Sequence, residues 1–223
     1  MKKRLTLAGG AVALALLASG GTAKANLVVD GDFTAAPDPG TYTTYGVGTM
    51  GGWTVVSGSV DLIGTYWQAP PGGGRSVDMA GNENGTIQQT ISGLTVGQNY
   101  QLSFAMSGNP DGPPGVKTLG VGLTIGGGSP ITFTYTIGSN SHSDMQYQTE
   151  TAVITATSTS EVLQFQDLSS GVDNPVGPPG TTPWGAVIGN VSLVPEPTTM
   201  VAGALLLLPF GASTLRALRR RTA

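Results

Sequence analysis

The stretch Tyr100-Gln101-Leu102-Ser103-Phe104-Ala105-Met106 decides the fold of this chain. Apolar side chains take every second position, with polar or small residues between them. In an extended chain successive side chains point to opposite faces, so this pattern lays one face on a core and leaves the other outside. The same period returns twice. Leu119, Val121, Leu123 and Ile125 alternate with Gly120, Gly122 and Thr124, and Ile131, Phe133, Tyr135 and Ile137 alternate with three threonines. Leu163 and Phe165 mark another such segment, and shorter strands are expected over 27–29, 53–56, 60–63, 86–91, 153–155 and 186–193. No convincing helical period occurs between residues 26 and 194. About ten short strands joined by Gly- and Pro-rich turns predict an all-β, antiparallel sandwich.

The chain of 223 residues holds 35 glycines and 15 prolines. That is short of the roughly 25–30% at which low complexity becomes the default, and the apolar residues are patterned, so a folded body is expected. Residues 37–52, 109–115 and 169–183 read as longer loops, because their prolines cannot sit in a central strand. Loops at one end of a sandwich are where such folds place their sites.

Charge separates the ends from the body. Between residues 26 and 194 only Arg75 and Lys117 stand against twelve Asp and Glu, a net of −10, whereas the whole chain is −3. A body this acidic repels phosphate backbones, so nucleic acid is not an expected partner. Cysteine is absent, which excludes disulfides and thiolate metal sites. Residues 26–194 are long enough to bury a single core without them.

The ends are addresses. Lys2, Lys3 and Arg4 precede an apolar stretch, and Ala23-Lys24-Ala25 supplies a small-x-small cleavage site, so residues 1–25 read as a signal peptide cut after Ala25. At the other end Pro195-Glu196-Pro197 precedes an uncharged apolar run over 198–215, then Arg216, Arg219, Arg220 and Arg221. As a helix that run would cover about 27 Å, close to the roughly 30 Å core of a bilayer, and the arginines should stay cytoplasmic. Residues 195–223 are therefore expected to be a transmembrane sorting segment. They resemble the PEP-CTERM sorting signal of Gram-negative bacteria. The resemblance implies an exosortase as processing partner, with Pro195, Glu196 and Pro197 as the recognised residues. It also implies anchorage at the inner membrane before passage to the cell surface or extracellular matrix.

The body carries a second resemblance. Asp30-Gly31-Asp32-Phe33 is followed by Gly52-Trp53-Thr54-Val55, then Gly58-Ser59-Val60-Asp61-Leu62-Ile63, Tyr66-Trp67-Gln68, Ser76-Val77-Asp78-Met79-Ala80-Gly81, Gly85-Thr86-Ile87-Gln88-Gln89-Thr90-Ile91 and Gly108-Asn109-Pro110. This ordered set resembles the choice-of-anchor C family, relatives of plant cell-wall proteins with galactose-binding-like domains, across nearly all of 26–194. The resemblance implies a jelly-roll β-sandwich related to carbohydrate-binding modules. Asp30 and Thr34 stand where members carry Asn and Glu, and Gly189-Asn190-Val191 where they carry Asp-Asn-Val. In related sandwiches those two missing carboxylates help hold a structural calcium, which needs several hard oxygen ligands. No cofactor is therefore expected, although Asp32 is nearby and could substitute as a ligand of a structural calcium.

Catalytic chemistry is poorly represented, and no catalytic residue is assigned. His142 is the single histidine, no Gly-x-Ser-x-Gly elbow occurs, and His142 reads as an exposed loop residue. Asp61, Asp78 and Glu83 could converge as a glycosidase pair, but strand-end hydrogen bonding is their plainer role. Sugars offer an apolar C–H face to aromatic rings and hydroxyls to amides, carboxylates and guanidinium groups. Tyr66, Trp67, Gln68, Arg75 and Trp184 are the candidates for such contacts, with Tyr42, Tyr45 and Asn82 near them; Trp53 reads as core, and Trp67 as either core lid or platform. The expected protein is an exported, non-enzymatic β-sandwich that binds extracellular polysaccharide or serves as a matrix component. A purely structural surface protein and a polysaccharide-active enzyme are the alternatives.

Overall fold

In the computed structural model, which describes residues 25–123, 130–170 and 183–196, the alternating stretch at 100–106 lies within one long strand. The expected signal peptide up to Lys24, Pro197, the expected membrane helix and the basic tail lie outside the described residues. In chain order the strands are β1 (Tyr42–Tyr45), β2 (Gly48–Met50), β3 (Trp53–Ser57), β4 (Val60–Ile63), β5 (Ser76–Asp78) and β6 (Thr86–Ser92). They continue with β7 (Asn99–Gly108), β8 (Val116–Leu123), β9 (Ile131–Thr136), β10 (Gln148–Thr155), β11 (Ser160–Asp167) and β12 (Ala186–Pro195). Among the described residues no helix occurs, and none could cross a membrane.

Two six-stranded sheets form, in the orders β1-β4-β5-β12-β7-β10 and β2-β3-β6-β11-β8-β9, and every pairing is antiparallel. From β5 onward each strand is followed by one in the opposite sheet, except at the β8–β9 hairpin. The orders β5-β12-β7-β10 and β6-β11-β8-β9 are those of a jelly roll, two Greek keys folded on each other. The pairs β1-β4 and β2-β3 widen the two sheets on the same side.

The core lies between the sheets. Tyr100, Leu102, Phe104 and Met106 meet Leu119, Val121, Leu163 and Phe165 there, all of them buried. Trp53, 1% exposed, sits with Phe33 and Phe165, ring centroids 5.6 and 5.8 Å away, and its Nε1 donates to the Asp30 carbonyl at 2.9 Å.

Several strand expectations shift. Residues 27–29 form no strand, because the Gln89 side chain takes the place of a strand neighbour. Its Oε1 accepts from Val29 N at 2.9 Å, and its Nε2 donates to Val29 O at 3.0 Å. The loop expected at 37–52 contains β1 and β2, both edge strands whose exposed Thr and Tyr hide any burial period. The short β5 also went unforeseen, because all three of its residues are buried and show no alternation. β10 begins at Gln148 rather than 153, since Glu150 occupies a half-buried position in its alternation.

The two ends of the domain meet at β12. Asn26 Oδ1 accepts from Leu193 N at 2.8 Å and Leu27 N donates to Leu193 O at 2.9 Å. β12 runs one residue past the expected domain boundary. Pro195 pairs with Tyr100 on β7 alone, so its missing N–H breaks no ladder on the other side.

One outer face is not left to solvent. Opposite residues in antiparallel pairs share a face, so Thr44, Asp61, Asp78, Val187 and Ser107 form a row across β1, β4, β5, β12 and β7, away from the core. Over one end of this face Ile63, Trp67, Met145 and Val187 make a second, smaller buried cluster, flanked by Tyr66 and Tyr147.

Candidate functional site

Beside that cluster the sheet face opens into a cleft of about 280 Å³. Its floor is the cross-strand pair Asp61 and Asp78. Asp61 Oδ1 accepts from the Thr44 hydroxyl at 2.5 Å. Asp78 is used on both oxygens: Oδ1 accepts from Ala80 N and Gly185 N, each at 3.0 Å, and Oδ2 from Asn109 Nδ2 at 2.6 Å. One carboxyl thus ties the end of β5 to the 109–115 loop and to the start of β12. Residue 185 must be glycine for this approach, since a Cβ there would lie 2.7 Å from Ala80 Cβ and 2.9 Å from Asp78 Oδ1. Burial raises Asp78 well above the ordinary carboxylate range; the Asn109 bond opposes the shift and the nearby Asp61 charge adds to it. Burial raises Asp61 too, against the Thr44 bond.

The aromatic wall comes from β1 and the 64–70 loop. Tyr42 and Tyr66 have ring centroids 5.3 Å apart, and Tyr66 and Trp67 are 5.4 Å apart. Trp67 is 5% exposed and its Nε1 donates to Ser76 Oγ at 2.9 Å, so it lines the cleft while belonging to the outer cluster. Tyr66 is held from behind. Its hydroxyl donates to Asp111 Oδ2 at 2.9 Å, the other Asp111 oxygen lies 2.6 Å from His142 Nε2, and the His142 ring centroid is 4.5 Å from that of Tyr66.

Asn82, Asn109, Pro183 and Trp184 complete the lining. Lys117 fixes this side. Its buried Nζ donates to Gly112 O at 2.8 Å and Trp184 O at 2.7 Å, clamping the two loops together. Burial lowers its pKa to about 8, while the charges of Asp78, Asp167 and Asp111 pull the other way.

Of the residues singled out in the sequence, the structure brings Tyr66, Trp67 and Trp184 together at the cleft. Gln68 lies outside the lining and docks the 138–147 loop instead. Its N donates to His142 O at 2.7 Å and its Oε1 accepts from Met145 N at 2.9 Å. Arg75 also lies elsewhere, donating to Ala36 O at 2.9 Å and paired with Asp38 at 3.5 Å. Asp32 accepts from Thr34 Oγ1 at 3.0 Å, and no group of three or more His, Asp or Glu among the described residues is arranged to hold a metal. Asp61 and Asp78 do converge, while Glu83 is not part of the lining. The His142 side chain is 42% exposed, in keeping with a loop, but its contact with Asp111 was not foreseen. Neither were the roles of Thr44, Asn109 and Asp111. Nothing local marks them, because each acts through a partner 17 to 45 positions away.

Fold and site together define a jelly-roll domain with an aromatic and carboxylate-lined cleft on one sheet face. The chain belongs to the family described as "Protein of unknown function (DUF642)", which matches residues 26–193. A segment of 58 residues is 45% identical to halomucin of Haloquadratum walsbyi, and that match spans 26% of this chain and 1% of halomucin. Among solved structures, TmCBM61 in complex with beta-1,4-galactotriose is 17% identical, with 77% of this chain and 99% of that one covered at a TM-score of 0.41. A family 35 carbohydrate binding module from Clostridium thermocellum is 9% identical, with 70% and 93% covered at a TM-score of 0.39. These likenesses are remote, and the fold rests on the strand order above.

Proposed function

We propose that this domain binds glycan in the cleft, without catalysis, as an exported component of the cell envelope or extracellular matrix. The observation that carries the reading is the Tyr66 ring, fixed by Asp111 and His142 beside Tyr42 in a cleft that Asp61 also lines. A held ring offers a stacking surface with little ordering left to do on binding. The polar groups that orient a ligand converge on the same space. The pair Asp61 and Asp78 invites comparison with a glycosidase, which needs carboxyls flanking the scissile bond. Here the two lie side by side on adjacent strands of the floor, and Asp78 already accepts three hydrogen bonds. The arrangement therefore favours binding.

The test is binding of the purified protein to a polysaccharide panel, the host matrix included. Tyr66→Ala is expected to weaken binding by about tenfold or more, with the melting temperature changed little. Binding is expected to persist in a chelator. A folded sample that binds nothing on the panel would leave the purely structural reading in its place.

Delivery is part of the proposal. Glu196 N still donates to Asn99 O at 2.9 Å, so the Pro-Glu-Pro motif begins where the sheet ends, at the margin of the domain. Replacing Pro195, Glu196 and Pro197 together is expected to leave the protein unprocessed by an exosortase and held at the inner membrane. Unchanged processing and location in cell fractions would end that assignment.

A further inference from the structure

We propose that the cleft selects a sugar carrying a protonated amine, an amino sugar whose nitrogen is not acylated; this rests on the glycan-binding reading above. The charge around the cleft is one-sided. Asp61, Asp78 and Asp111 contribute to the lining, and no Lys or Arg does so among the described residues. Residues 26–194 contain only two such cations, and both are engaged elsewhere. Arg75 pairs with Asp38, and the Lys117 ammonium donates to the carbonyls of Gly112 and Trp184 behind the wall. A uronate or a sulfated sugar would enter with no Lys or Arg of the lining to meet it.

The aromatic wall points the same way. The faces of tyrosine rings attract cations through their quadrupoles. His142 already covers part of Tyr66, which leaves Tyr42, 48% exposed, as the more open ring.

Of the three carboxyls, one is poised to choose the ligand. Asp111 is shared between Tyr66 and His142, and Asp78 holds three donors. Asp61 accepts a single hydrogen bond among the described residues, from Thr44 to Oδ1. Its Oδ2 remains an acceptor in a sheltered site, where a charge-assisted bond to an ammonium is stronger than a bond to a neutral amide. An N-acetyl group removes the charge and adds bulk at that point.

The acidic body would draw any polycation to its surface, so the test uses short ligands and a local variant. The trimer of β-1,4-linked glucosamine, its fully N-acetylated counterpart and trigalacturonate are titrated calorimetrically into the purified protein at one moderate salt concentration. The amine trimer is expected to bind about tenfold more tightly than the N-acetylated one, and trigalacturonate not at all. Asp61→Asn, which keeps an acceptor for Thr44, is expected to bring the first two within about threefold of each other. Equal wild-type affinities for those two trimers would overturn the inference and leave glycan binding standing. An amine preference untouched in a folded Asp61→Asn would overturn it as well, assigning the preference to the general negative charge. Failure of every trimer and of the whole polysaccharide panel would remove the underlying reading too.

Discussion

Asp78→Ala is expected to destabilise the domain by about 3–5 kcal/mol, a large share of the roughly 5–15 kcal/mol that holds a domain folded. The carboxyl is 1% exposed and accepts from Ala80 N, Gly185 N and Asn109 Nδ2. Alanine leaves all three donors buried without an acceptor, at about 1–3 kcal/mol each, partly offset because burying the carboxyl is itself unfavourable. The three donors lie on separate segments, so the 109–115 loop and the start of β12 should loosen together and the cleft should lose its far wall. Asp78→Asn should cost less. Its carbonyl can still serve Ala80 and Gly185, but its NH₂ then faces the NH₂ of Asn109, whose Oδ1 is already engaged by Asp111 N at 2.8 Å. Urea unfolding of the three proteins orders them as wild type, Asn, Ala.

The same carboxyl sets a pH dependence. Its folded-state pKa is raised above 3.8, chiefly by burial, and those of Asp61 and Asp167 are raised from the same first cause. The folded state then holds protons that the unfolded state has released. This contribution to stability is full below the unfolded value and is lost as pH rises through the folded one. Acidification from neutrality toward the ordinary carboxylate range is expected to raise the melting temperature, and Asp78→Asn should flatten that rise. Because lower pH also relieves repulsion across the acidic body, the slope of the variant decides the matter. An equal slope in wild type and Asp78→Asn would refute the role given to this group.

Trp53→Ala is expected to cost about 3–5 kcal/mol, the range for emptying an aromatic site in a packed core. Trp53 sits with Phe33 and Phe165 and closes its indole N–H on the Asp30 carbonyl, so truncation leaves a cavity, a lost hydrogen bond and two rings short of a neighbour. Trp67→Ala should cost about half as much, roughly the loss of one buried side chain, because its cluster covers an outer sheet face that the sandwich can keep without it. Its effect should fall instead on glycan binding, through the neighbouring Tyr66. Melting temperatures and affinities measured on both variants separate the two tryptophans. A Trp67→Ala protein as unstable as Trp53→Ala, or one that binds as wild type does, would contradict this division.

That contrast shows what was legible in the chain. The alternation in β7, β8 and β9 could be read because side-chain direction in a strand is set by the next residue, and a buried face must repeat every second position. Trp53 could be assigned to the core from its strand neighbours for the same reason. β1 and β2 escaped because edge strands with exposed faces carry no such period, and residues 27–29 misled because a glutamine side chain can satisfy a backbone that a strand would otherwise pair. The aromatic residues of the 64–70 loop could be nominated by type, but Gln68 and Arg75, equally suited by type, were drawn to other partners.

Residue order alone fixed an acidic, cysteine-free β-sandwich and the side of β7, β8 and β9 that faces the core. These follow from composition and from a period of two, both local properties. Tertiary structure alone decided that Asp61 meets Asp78 across two strands, that Tyr66 meets Asp111 and His142, and that Lys117 stays behind the wall of the cleft. Those contacts depend on strand order and register, which are settled only when the two sheets close over a common core.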